Sequence, residues 1–340
     1  MITDLRSDTF TKPTPGMMEA MVQAHTGDDV FGEDPSVNQL EAMMAEHFGM
    51  QAALYCPSGT MSNQIAIKVH TQPGDELICG DHSHVYIYEG GGIAFNSGVQ
   101  VRTVDSDRGM LAAADIIAAI NPDDVHKART SIVSLENTSN RGGGCCYEQE
   151  ALEHVREVCD QHKLALHLDG ARLFNALVAT GQNPKLYGQL FDSISVCLNK
   201  GMGCPMGSVL MGSTGYIKQA RRIRKKFGGG LRQAGYMAAT GIYAMEHHIA
   251  RLADDHANAK RIARALLKRE FTGHMLPVDT NIVIFDVKGD WTPVTFTEHL
   301  KKHNILAMAI SATQVRMVTH LDISEAQTDH VCAVIAEMTC

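Results

Sequence analysis

The spacing of apolar positions along the chain predicts strands and helices in alternation. Residues 14–48 read as helical. Pro15 suits a first helical turn, and Met17, Met18, Met21 and Val22 fit one amphipathic face. A turn at GDDVFGEDP precedes a second helical run, Val37 to Phe48. Short apolar runs then predict strands at Ala52–Cys56, Glu76–Cys79, Val99–Val104, Ser131–Leu135, Leu164–Leu168, Ser193–Cys197 and Ser208–Met211. Helical stretches fall between most of them, such as Leu111–Ile120 and Glu148–His162. This alternation predicts an α/β fold, with a mostly parallel central sheet and helices on both faces.

After Gly215 the pattern becomes helical. Tyr216–Phe227 is basic and amphipathic, Gly228-Gly229-Gly230 breaks it, and another helix reaches about His248. Ile249–Glu270 reads as one long charged helix. Beyond it come a strand at Asn281–Val287, a helix at Thr295–His303, a strand at Gln314–Thr319 and a helix at Glu325–Thr339. The expected organisation is a large domain over residues 1–248, including the N-terminal segment 1–13. A smaller α+β domain follows over 249–340, with the long helix as its connector.

Composition removes whole classes of function. Of 340 residues, 44% are hydrophobic and 20% charged, which excludes a disordered or fibrous chain. A net charge of -8 argues against a general nucleic-acid or anionic-membrane binder. No apolar run is long enough to span a bilayer, and the first residues lack the apolar core of a signal peptide. Nine scattered cysteines without a CxxC read as reduced thiols, so a cytoplasmic location is expected.

Candidate chemistry sits at predicted strand ends. In LALHLDGARLFNA an apolar strand runs into Asp169, where an open α/β sheet places ligands. Asp169 could equally be a helix N-cap. In SVCLNKGMG another strand leads to Lys200, flanked by glycine and without a sequence-local acid. That lysine could be desolvated and nucleophilic, or simply snorkel from a turn. Taken together, a lysine and a carboxylate on two strands suit pyridoxal phosphate: one forms a Schiff base, the other keeps the pyridine nitrogen protonated. A phosphate site fits CPSGTMSNQ, where Gly59 and Thr60 open a helix whose N–H groups favour an anion. An ordinary Ser/Thr cap is the alternative. In GDHSHVYIYEGGG, His82 and His84 could bind metal, but no further ligand completes a set, and the expectation is no metal. His84 is placed instead to cover a flat cofactor ring.

At this point the chain resembles the low-specificity threonine aldolases, pyridoxal-phosphate enzymes of the aspartate-aminotransferase fold (fold type I). The likeness covers nearly the whole length. It is carried by DLRSDTFTKP, GDDVFGEDP, PSGTMSNQ, SLENTSNRGG, LHLDGARLFNA, CLNKGMGCPMGS, GGGLRQAG and VRMVTHL, in the family's order. The resemblance implies that Lys200 holds the cofactor, Asp169 pairs with the pyridinium, His84 stacks on the ring, and Gly59 and Thr60 bind phosphate. It implies that Ser7, Arg172 and Arg316 surround the substrate carboxylate and the cofactor's oxygen, with Tyr88 also at the substrate. Lys225 and Arg232, around the triple glycine, would reach the neighbouring subunit's cofactor. The implied assembly is a homo-oligomer, a dimer of dimers, with active sites shared across an interface. Lys225 to Arg232 on their own read as a solvated basic helix end.

Two positions depart from the family's pattern. Ser139 stands in ENTSN where a histidine near the substrate hydroxyl is common, and Phe31 stands in DDVFGEDP where tyrosine is common. Ser139 is a poor base at neutral pH, so the preference between threonine and its allo epimer is open. The implied activity is retro-aldol cleavage of L-threonine, L-allo-threonine or related β-hydroxy-α-amino acids to glycine and an aldehyde. A β-eliminating lyase would keep the same cofactor site and release a keto acid. A non-catalytic cofactor-binding protein does not explain Lys200 and Asp169 together, and a nicotinamide dehydrogenase lacks GxGxxG after the first strand.

Overall fold

The computed structural model describes residues 2–338. Its strands are β1 (Thr3–Asp4), β2 (Ala52–Cys56), β3 (Glu76–Gly80), β4 (Gln100–Val104), β5 (Thr130–Glu136), β6 (Ala165–Asp169), β7 (Ser193–Cys197), β8 (Ser208–Gly212), β9 (Thr272–Met275), β10 (Ile282–Val287), β11 (Ile305–Leu306), β12 (Met308–Ala309) and β13 (Gln314–Val318). Seven form one sheet in the order β2-β8-β7-β6-β5-β3-β4. Neighbours from β7 to β4 are parallel, and β8 runs against both β7 and β2. With β8 the only reversed strand, β2, β3, β5, β6 and β7 all end at the same edge. That edge therefore collects Ser58-Gly59, the loop to His84, Glu136, Asp169 and the Lys200 turn.

Alternate residues of one strand enter different cores, as a sheet covered on both faces requires. Ala53 and Tyr55 of β2 join the main core with Leu40, Leu152 and Phe174. Leu54 and Cys56 point the other way, against Ile65, Ala66, Ile217 and Ala220. The helices Pro35–Phe48 and Gln149–His162 cover the first face, and Gly59–His70 and Thr214–Lys226 the second. Asp34 caps Pro35–Phe48 by accepting from Val37 N at 3.1 Å, and Pro35 fills the first position, where a missing N–H costs nothing.

The C-terminal sheet is antiparallel, in the order β12-β13-β10-β9. Helices Leu252–Leu266, Pro293–Lys302 and Glu325–Glu337 supply its separate core, with Phe271, Phe285, Phe296 and Val331 fully enclosed. The first residues pack here: Thr3 and Asp4 pair in parallel with Ile305 and Leu306, and Leu5 joins the same core. The helix expected over Ile249–Glu270 is shorter, Leu252–Leu266. Strand β9 and the two-residue strands β1, β11 and β12 have no counterpart in the pattern, because so few residues carry no period.

Candidate active site

A cavity of about 370 Å³ opens at the converged strand ends, roofed by the C-terminal sheet. Ser7, His84, Tyr88, Arg172, Lys200 and Arg316 line it, together with Thr9, Asn140, Arg141, Met308, Ala309 and Ile310. Six expected site residues, scattered from position 7 to 316, thus share one space.

Lys200 follows β7 in a turn closed by Gly203 N donating to its carbonyl. Its Nζ lies 3.6 Å from Cys197 Sγ, and it has no ion pair among the described residues. Asp169 ends β6, 2% exposed. Its Oδ2 accepts from Asn63 Nδ2 at 2.8 Å and its Oδ1 from Ala171 N at 3.1 Å. A carboxylate has about four acceptor sites, so it can take one more donor.

His84 turns inward while His82 is half exposed beside Asp81. The His84 amide donates to Glu136 Oε2 at 2.7 Å, and Nδ1 contacts Glu89 Oε1 at 2.9 Å. Burial works against its charged form, but the Glu89 contact and the Asp169 charge outweigh burial and raise its pKa above the ordinary value. Its ring lies 5.6 Å from that of Tyr88. Nδ1–H held by Glu89 leaves Nε2 as the free basic atom.

Arg172 is buried and forked onto Asp8, with Nε and Nη2 donating at 2.7 Å each. Arg316 differs. Nη1 donates to Asn140 Oδ1 at 3.0 Å and Nη2 to the Arg6 carbonyl at 3.3 Å, while its buried Nε has no partner among the described residues. Burial and the neighbouring Arg172 charge pull Arg316 down to about 10. A guanidinium in the cavity wall with no carboxylate of its own is suited to an anionic ligand.

Gly59 begins the helix Gly59–His70, after Ser58 caps it by accepting from Met61 N at 3.2 Å. A Cβ on Gly59 would sit 2.5 Å from Cys197 Sγ, so the backbone needs glycine. Thr60 beside it is exposed, and the first N–H groups of a helix have no partner inside it. These observations fit a phosphorylated cofactor with a cationic nitrogen: a helix start able to receive an anion, a buried carboxylate with spare acceptor capacity and a lysine with no ion pair among the described residues.

Four expected residues lie elsewhere. Ser139 Oγ accepts from Gly142 N at 3.2 Å and packs under Gly109 and Gly142, behind the cavity wall. Lys225 lies in the last turn of the helix Thr214–Lys226, beside Gly230. Arg232 pairs with Asp28 at 2.8 Å, and Phe31 is 73% exposed. Sequence reasoning missed Asp8, Asn63, Glu89, Asn140 and Arg141. Asn63 carried a usable signal, three residues after Thr60 on the same helix. The others are brought in by loops.

The chain, with a lysine and a carboxylate at the edge of a mostly parallel sheet, belongs to the beta-eliminating lyase family, whose model matches residues 4–290. Within it, the chain is 44% identical over 331 residues to the low specificity L-threonine aldolase of Escherichia coli (strain K12), covering 97% of each. It is 39% identical to low-specificity L-threonine aldolase 1 of Arabidopsis thaliana, covering 94% of this chain and 92% of that one. The fold matches threonine aldolase of Leishmania major with a TM-score of 0.86, at 20% identity over 98% of both chains.

Proposed function

We propose that the protein cleaves L-threonine, L-allo-threonine and related β-hydroxy-α-amino acids to glycine and an aldehyde, using pyridoxal phosphate. The observation that carries this reading is the single cavity onto which Lys200, His84, Arg172 and Arg316 all open. The activity named for its relatives supports it. Lys200 would hold the cofactor covalently, Asp169 would keep a proton on its pyridine nitrogen, and Gly59 and Thr60 would receive its phosphate. When bound, pyridoxal phosphate supplies the electron sink that cleavage beside an amino group needs.

The protein's own groups do the rest. Arg316 takes the substrate carboxylate, with Arg172 held rigid by Asp8 and the Ser7 hydroxyl nearby. His84 Nε2 removes the β-hydroxyl proton, and Glu89 at Nδ1 stabilises the imidazolium that forms. The Cα–Cβ bond breaks, the aldehyde leaves past Tyr88, and Cα takes up a proton to give glycine. Met308 and Ile310 supply apolar wall to the same cavity. Ser139, hydrogen-bonded to Gly142, acts by shaping the Asn140-Arg141 turn. Lys225, Arg232 and the exposed Phe31 fit a surface that a second copy covers, and a cytoplasmic dimer of dimers is the assembly we favour. No helix among the described residues is long and apolar enough to cross a membrane.

Incubation of the loaded enzyme with each threonine epimer tests this. Equal amounts of acetaldehyde and glycine are expected, with loss of turnover in Lys200→Ala. Keto acid and ammonia without glycine would replace this reading with β-elimination.

A further inference from the structure

Asp169 is the near end of a hydrogen-bonded chain that runs between the helix Gly59–His70 and the sheet face it covers. Asn63 and His70 lie seven residues apart, two turns of the helix Gly59–His70, and so face the same strands. Between them sit His167 of β6 and Ser193 of β7, paired neighbours in the sheet. His70 Nε2 contacts Ser193 Oγ at 2.9 Å, and Ser193 Oγ contacts His167 Nδ1 at 2.9 Å. His167 Nε2 meets Asn63 Oδ1 at 3.2 Å. The Asn63 amide then divides, with Nδ2 donating to Asp169 Oδ2 at 2.8 Å and to Glu89 Oε1 at 2.9 Å. Asn63, His167, Ser193 and Asp169 are each at most 2% exposed. His70 stacks on Tyr216, 4.6 Å between centroids, and lines a separate cavity of about 680 Å³ with Gln51, Gln189 and Asp192.

The direction of every link is fixed by its end. Two carboxylates can only accept from Asn63, so its NH₂ faces them and its oxygen faces His167. His167 must then donate from Nε2 and accept at Nδ1. Ser193 must give its proton to His167, and His70 must donate from Nε2 to Ser193. Both histidines need only their neutral forms. Burial lowers each to about 4, and Asp169 offsets this only partly for His167.

We propose that His70, Ser193, His167 and Asn63 form a directional relay of donors that positions Asp169 against the pyridine nitrogen and Glu89 against His84. Each link donates toward the site, so each polarises the next. The relay serves both the cofactor's nitrogen and the base through one amide. The proposal rests on the reading of Asp169 as partner of the cofactor nitrogen, but not on which substrate bond is cleaved.

The test uses the pyridoxal-phosphate-loaded protein and reads cofactor dissociation and the pH midpoint of its visible absorbance. His70→Phe keeps a ring against Tyr216 but removes the first donor. Ser193→Ala cuts the middle. Each is expected to weaken cofactor binding by about 3- to 10-fold, the worth of a buried hydrogen bond. Each should also raise the absorbance midpoint, because a ring nitrogen holding its proton less firmly makes the chromophore less acidic. His70→Gln, whose amide nitrogen reaches the Nε2 position, should restore both values. If His70→Phe is poorly folded, Ser193→Ala decides alone. Parental affinity and midpoint in a folded Ser193→Ala protein would overturn the relay, as would a His70→Gln variant that restores neither. L-Threonine cleavage by the parent protein is scored separately, so failure here leaves the proposed activity standing.

Discussion

At the residue scale, charge balance decides what each group can do. Arg172 owes its place to Asp8, a carboxylate with no exposed surface. Burial opposes its ionisation, but Arg172, by charge and hydrogen bonds, wins and holds Asp8 down at about 2. Asp8→Asn should cost about 3–5 kcal/mol in denaturant unfolding, because it strands a buried guanidinium. His167 acts in the opposite pH range. The unfolded histidine takes up a proton near pH 6.5, while the folded one resists until about 4. Stability should therefore fall on acidification from about pH 6.5 to 4, by on the order of 3 kcal/mol from this residue. In His167→Gln, that part of the urea-midpoint dependence on pH should vanish. The placement of Lys200, Asp169 and His84 near the sheet edge could be read from the sequence because each ends or follows an apolar strand. Asp8, Glu89 and Asn140 could not, since their meaning depends on partners brought close only by the fold. Ser139 misled for the same reason: its position in the motif is sound, yet its hydroxyl turns to Gly142.

At the element scale, one helix does several jobs. Gly59–His70 presents its first N–H groups at the sheet edge where β2 ends, Asn63 one turn in, and His70 at its far end. Gly59→Ala should lower pyridoxal phosphate affinity at least about tenfold, because a Cβ meets Cys197 Sγ and stands where an anion would approach. Adding Cys197→Ala to Gly59→Ala should recover stability, measured by thermal unfolding, more than it recovers affinity. The loss that persists then belongs to the anion cradle. The strands of the main sheet were legible nearly to the residue because buried parallel strands are continuous apolar runs. Their order was not, since β8 between β7 and β2 reverses direction, and nothing within Ser208–Gly212 announces it.

At the scale of the whole molecule, the cavity is a joint. Its floor is the edge of the seven-stranded sheet, and its roof includes Met308, Ala309 and Ile310 near β12 and Arg316 from β13. Arg108 ties the two parts by donating to the Gly142 carbonyl at 2.9 Å and to Asp279 at 2.9 Å. Arg108→Ala should raise KM for the amino acid more than it lowers kcat, because it loosens the roof that carries Arg316 without touching Lys200. Equal loss in both constants would count against this. The α+β character of the C-terminal part could be read from its periodicity, while its link to the chain's first residues could not.

That link has a consequence for synthesis. Thr3 and Asp4 pair with Ile305 and Leu306, and the Leu5 carbonyl accepts from Val318 N. Residues 3–5 must wait for partners made roughly 300 residues later along the chain. The second core therefore closes only once Ile305, Leu306 and Val318 have been made, and until then Leu5 has no core to enter.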